Sequence, residues 1–190
     1  MNKLPLSILT VAALLLAGCV ISVSPIYTAK DVVYDPALLG VWAEDEKDVN
    51  TWTFEKSDDS SYALTVADQD SKSPFVAHLV QLGDHRFLDI CPAASGLDAA
   101  PLSGLYKTGL IRGHLVLKVT QIKPVLQMQA LDGDWLDKLL EKAPQTLAHQ
   151  KADDGGLVLT APTAALQSFL NLHWISEGAW GDPSNLKRRQ

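Results

Sequence analysis

Between Thr51 and Leu131 apolar and polar residues alternate with period two over several short stretches, a pattern that predicts half-buried strands. In Thr51-Trp52-Thr53-Phe54-Glu55, Trp52 and Phe54 share one face while the polar residues share the other. The stretch from Tyr62 to Val66 repeats the pattern, with Tyr62, Leu64 and Val66 pointing one way. Polar turns at 57–61 and 68–73 bound these runs, and a third run from Pro74 to Leu82 ends at Gly83-Asp84 before Arg86 to Ile90 begins the next. His114 to Gln121 sets Leu115, Leu117 and Val119 against His114, Val116 and Lys118, and Pro124 to Leu131 is expected to fold back on it as a hairpin. Ahead of all these, Leu38 to Trp42 is a short apolar run that places the start of the folded part at Pro36. Strands at this spacing, without helical patterns between them, predict an antiparallel meander closing into a barrel or half-barrel.

After the hairpin the period changes. Asp132 or Asp134 can cap a helix near 133–142, with Trp135, Leu136, Leu139 and Leu140 on one face and charges on the other, stopping at Pro144. Leu147 to Gln150 and Leu157 to Thr160 read as two short strands around a Gly-containing turn. Pro162 sits in the first turn of a second helix over 162–173, where Leu166, Phe169, Leu170 and His173 recur at helical spacing. The fold class is therefore mainly β with helices (α+β), in one domain over residues 36–176. Residues 19–35 carry no period and are expected to form a tether; 177–190 are expected to be a frayed tail. Between Cys91 and Gly113 the pattern loosens, with an extended piece expected over Leu102 to Ile111. A loop of this length in a compact β domain is functional or mobile, here as a cover for the barrel mouth.

The N-terminus carries a different signal. Lys3 precedes an apolar segment from Leu4 to Leu16, which as a helix reaches only about 20 Å against a hydrocarbon core of about 30 Å, so it reads as an export signal rather than a span. Its end, Leu16-Ala17-Gly18-Cys19, resembles the lipobox of bacterial lipoproteins. The resemblance implies that residues 1–18 are removed as a signal peptide and that Cys19 carries diacylglycerol, with the membrane as a partner through that anchor. Val20 stands where enterobacterial lipoproteins retained in the inner membrane carry Asp, which implies the outer membrane, facing the periplasm. Further on, Gly40-Val41-Trp42 resembles the Gly-x-Trp signature of lipocalins and related calycin barrels. By that resemblance Gly40 and Trp42 form the barrel base, with Trp42 closing it against an Arg near the end of the sheet. No predicted strand offers that Arg: Arg112 lies in the loop, and Arg188 and Arg189 lie in the tail.

Composition narrows the chemistry. The 190 residues carry a formal net charge of -6; removing 1–18 takes only Lys3 and leaves about -7. Such a chain, without a basic patch interleaved with aromatics, is a poor partner for nucleic acid. Of two cysteines, the lipobox takes Cys19, so Cys91 has no partner for an intramolecular disulfide. The five histidines fall in no zinc-type spacing, no Gly-x-Ser-x-Gly is present, and no Gly-rich loop precedes a helix, so no metal, cofactor or catalytic residue is assigned and the chain is read as a non-enzyme. The functional expectation is a lipid-anchored envelope protein that binds or shuttles a small apolar or amphipathic ligand. Its candidate ligand-lining residues are Trp52, Phe54, Tyr62, Leu64, His78 and His114. The alternative is an interaction or assembly module with a filled core and a protein partner that the sequence does not name.

Overall fold

The computed structural model describes residues 20–153 and 155–189. The lipobox and Cys19 lie outside the described residues. In chain order the elements are β1 (Ile21–Ser22), β2 (Val32–Val33), β3 (Gly40–Ala43), β4 (Thr51–Lys56), β5 (Tyr62–Ala67), β6 (Lys72–Leu82), β7 (His85–Pro92), α1 (Ala94–Ala99), α2 (Gly104–Thr108), β8 (His114–Gln121), β9 (Val125–Ala130), α3 (Gly133–Lys142), β10 (His149–Lys151), β11 (Leu157–Leu159), α4 (Thr163–Leu172) and β12 (Ser184–Arg188).

Eight of the strands form a closed antiparallel barrel. The meander from β3 to β9 pairs neighbour to neighbour, and β12 enters between its two ends, with Lys187 opposite Ala43 on one side and Leu186 opposite Leu126 on the other. Closure removes every edge from these eight strands, the arrangement of a lipocalin-like barrel. Period-two alternation then sorts the side chains. Trp42, Phe54, Leu64, Leu79, Leu88 and Leu126 fill the inside, whereas Val80, Leu82 and Phe87 face outward into a second core.

That second core lies between the barrel wall and a helical layer. In α3 the buried Leu136 and Leu140 are four residues apart, and in α4 Leu166, Phe169 and Leu170 share one face, as burial against a sheet requires. Asp132 caps α3 by accepting from the Trp135 N–H at 2.7 Å. The fastening at the far end is aromatic: Trp174 stacks on His85 at 4.2 Å and meets Phe87 edge-on, and Lys118 lies 4.5 Å from the Trp174 ring centroid while donating to the Trp174 carbonyl at 2.8 Å.

The two ends of the chain are structured where the sequence reading expects a tether and a frayed tail. Residues 20–27 wedge into the outer core, where β1 pairs with β8 and with β11 and Ile26 is fully buried, and β2 then pairs with the second half of β6 with Val33 against the inner core. Thr163 and Gln167 of α4 donate to the carbonyls of Pro25 and Ile26, so the segment is held from both sides. At the other end, 184–188 is the eighth barrel strand. The domain thus runs from about Val20 to Arg189 rather than over 36–176. Within 91–113, α1 and α2 replace the expected extended piece over 102–111.

Candidate functional site

The barrel is closed at one end and open at the other. At the closed end Trp42 is fully buried, and its indole N–H donates to the Leu38 carbonyl at 2.8 Å. Gly40 has φ +122, a conformation that favours glycine, and a Cβ there would sit 2.7 Å from Arg188 Nε. Arg188 stands directly opposite Trp42 across the β3–β12 pair, so its guanidinium crosses the space that Gly40 leaves. The structure thus brings an arginine, Arg188, beside Gly40 and opposite Trp42 in the segment expected to fray. Sequence reasoning missed it because one apolar residue, Leu186, between polar neighbours carries no strand period.

Above this base the lumen is filled. Phe54, Tyr62 and Leu64, three candidate ligand-lining residues, are at most 1 % exposed. Phe54 meets Tyr62 edge-on at 6.2 Å, and Tyr34 stacks on Tyr62 at 5.0 Å. The Tyr62 hydroxyl accepts from the Asp35 N–H at 2.8 Å and donates to the Asp35 carbonyl at 3.1 Å; burial pushes its pKa up to about 12. These side chains form the floor of the lumen.

Space remains at the mouth. A cavity of about 180 Å³ is lined by Trp52, Val66, Phe75, Ile90, Leu115 and Leu117. All six are apolar and point inward near the ends of β4 to β8 that lie farthest from Gly40. The cavity reaches a lateral slit: β8 pairs with β9 only from Leu117 onward, and its first residues pair with β1, so Val20 and Leu131 border the cavity as well. Phe75 also lines the groove beneath α1, which brings that short helix to the rim. Of the six candidates only Trp52 borders this cavity.

His78 and His114 correct the expectation differently. Both project from the outer wall, because Ala77, Leu79, Leu115 and Leu117 take the inner face. His78 packs against Tyr27 with the rings tilted and their centroids 4.3 Å apart. His114 Nδ1 lies 2.6 Å from Asp89 Oδ1, and the second carboxylate oxygen of Asp89 accepts from the Ile26 N–H at 2.9 Å. Asp89, 1 % exposed, thereby pins the N-terminal wedge to the barrel. The hydroxyl and thiol nearby are engaged elsewhere: Ser22 Oγ donates to the Ser24 carbonyl at 2.8 Å, and Cys91 Sγ to the Arg112 carbonyl at 3.8 Å. Burial raises the Cys91 thiol pKa, away from reactivity. The space that His114 borders, shared with Ser22 and Leu166, is only about 10 Å³, room for one water. This cluster is a structural pin. Among the described residues no group of three or more His, Cys, Asp or Glu side chains could hold a metal ion, and no helix is long and apolar enough to cross a membrane.

Burial holds the pKa of His78, and that of His173 beside α4, below the ordinary histidine value. Each is therefore favoured neutral in the fold, and its stabilising contribution is present above the unfolded value near 6.5 and is lost as pH falls through the folded one. The urea midpoint is expected to fall between pH 7 and pH 5, and His78→Phe, His173→Phe should flatten that decline. An equally steep decline in the double variant would assign the pH dependence to other groups.

These features define the molecule as a closed, eight-stranded antiparallel β-barrel with an apolar mouth and an external helical layer. No family model matches the chain, and neither a curated protein nor a solved structure matches it.

Proposed function

We propose that the protein is a lipid-anchored bacterial envelope protein, held by Cys19 at the outer membrane facing the periplasm, whose barrel mouth takes the end of an apolar chain. The observation that carries the reading is the apolar mouth cavity above a packed floor. Its volume of about 180 Å³ lies below the range of about 300–1,000 Å³ usual for sites that engulf a drug-sized ligand. It suits the tip of an acyl chain or a single ring, with the rest of the molecule remaining outside. Non-enzymatic binding is the activity this reading assigns, without metal or cofactor.

The test is saturable binding of a fluorescent fatty-acid probe to the protein, with expected affinity in the micromolar range. Val66→Trp and Leu115→Trp fill the mouth without touching the floor and are expected to weaken binding at least about tenfold, or roughly 1.4 kcal/mol. Folding is followed alongside by circular dichroism. A well-folded parent that binds no fatty acid, sterol or quinone sinks the carrier reading. The second reading then gains: the packed floor of Phe54, Tyr62 and Leu64 favours an interaction module with a filled barrel.

A further inference from the structure

The geometry points to a barrel that rests mouth-first on a lipid bilayer, with residues 102–111 and Val23 as its membrane-contacting surface. The inference depends on the anchor reading of Cys19 and adds an orientation to it.

The first observation is the absence of a leash. Val20 packs against the outer core and borders the mouth cavity, and Ile21 and Ser22 are paired into the sheet. Cys19 is one peptide bond away, about 3.8 Å between Cα atoms. A glycerolipid on its sulfur therefore begins within a few ångströms of the barrel surface, and the bilayer that receives the lipid is one the domain touches.

The second observation selects the face. Because β1 runs antiparallel to β8, with Ser22 opposite His114, Val23 arrives beside Gly113, the end of the segment that carries α1 and α2 over the rim. That segment is unusually apolar on its surface. Leu105 is 87 % exposed, Ile111 76 % and Tyr106 60 %, and Leu102, Leu110 and Val23 are exposed too. Single exposed apolar residues are ordinary, but a cluster of this kind beside a cavity mouth marks a contact surface. The remaining exposed apolar residues are scattered: Val49 lies in the β3–β4 loop, and Leu172 and Ile175 flank Trp174 by the His85 hairpin.

Within the segment that carries α1 and α2, charge agrees with the same occupant. In a chain of net charge -6, residues 93–113 hold Lys107 and Arg112 against Asp98 alone. Basic side chains flanking apolar ones suit a headgroup layer containing anionic lipid, where they reach for phosphate while the apolar residues enter the acyl boundary. In this pose the mouth opens toward the bilayer, and an acyl chain enters the cavity without crossing water.

The full chain, processed in a bacterial host and reconstituted in phosphatidylethanolamine–phosphatidylglycerol vesicles with brominated acyl chains, tests this directly. In a Cys91→Ser background, Leu105→Cys, Ile111→Cys and Asp84→Cys each carry a bimane fluorophore, and intact mass reports whether Cys19 is acylated. All three positions are on the surface, so labelling leaves the fold intact. Expected is quenching by the brominated chains at 105 and 111 at least about threefold that at 84, as for residues seated 5–10 Å into the interface. If Cys19 is acylated and 105 and 111 are quenched no more than 84, the orientation is overturned while the anchor stands. If Cys19 is not acylated, the anchor reading fails by itself. The Cys19→Ser chain with the same labels is then added to the vesicles: quenching at 105 and 111 upholds the contact surface, and its absence overturns it.

Discussion

Trp42→Ala is expected to lower the unfolding free energy by about 3 to 5 kcal/mol, the cost of truncating a fully buried aromatic whose site cannot collapse. The loss has two parts. The indole fills the closed end together with Phe54 and Leu38, and its N–H satisfies the Leu38 carbonyl, which is left without that donor in the variant. Since domains of this kind are stable by about 5 to 15 kcal/mol, the variant should show a large drop in denaturant midpoint and approach unfolding at physiological temperature. An unchanged midpoint would falsify the placement of Trp42 at the barrel base.

Asp89→Ala should be nearly as damaging, by about 3 kcal/mol, for an electrostatic reason. The buried carboxylate joins three parts of the fold: β7, which carries it, His114 on β8, and the N–H of Ile26 in the N-terminal wedge. Removing it strands two donors in an apolar layer, and breaking a buried pair from one side costs about 3 to 5 kcal/mol. The double change Asp89→Leu, His114→Leu removes both partners and is expected to recover part of that loss, because an apolar pair leaves only one donor unsatisfied. If the double variant is less stable than Asp89→Ala, the cluster has a role beyond pinning the wedge.

The meander and both long helices are legible in the sequence because each contributes enough residues to show its period. The alternation of Trp52, Phe54, Tyr62 and Leu64 assigns their inward face correctly, and the Leu and Phe spacing places α3 and α4 within a residue of their observed ends. Burial alone does not separate a lumen lining from a floor, and here only Trp52 stands high enough along its strand to reach open space. The terminal strands escape detection for another reason. β1 and β2 have two residues each, too few for any period, and their partners at Leu115, Val158 and Val80 are distant in the chain. The expectation for His78 and His114 fails because an alternating strand says which residues share a face, not which face is inside. The outer wall is half apolar here, under the helical layer, so hydrophobicity gives the two faces similar weight.

The seam of the barrel has a consequence for the life history of the chain. β3 is the first barrel strand to be made and β12 the last, yet they are neighbours, and the N–H of Arg189 still donates to the Val41 carbonyl at 2.8 Å. Until those final residues arrive, β3 and β9 both remain raw edges, and the contacts that would close the cylinder span nearly the whole domain, which makes closure slow. A chain made N-terminus first therefore cannot close its cylinder before β12 has been added. Its connectivity leaves the final act of closing the cylinder to the five residues of β12.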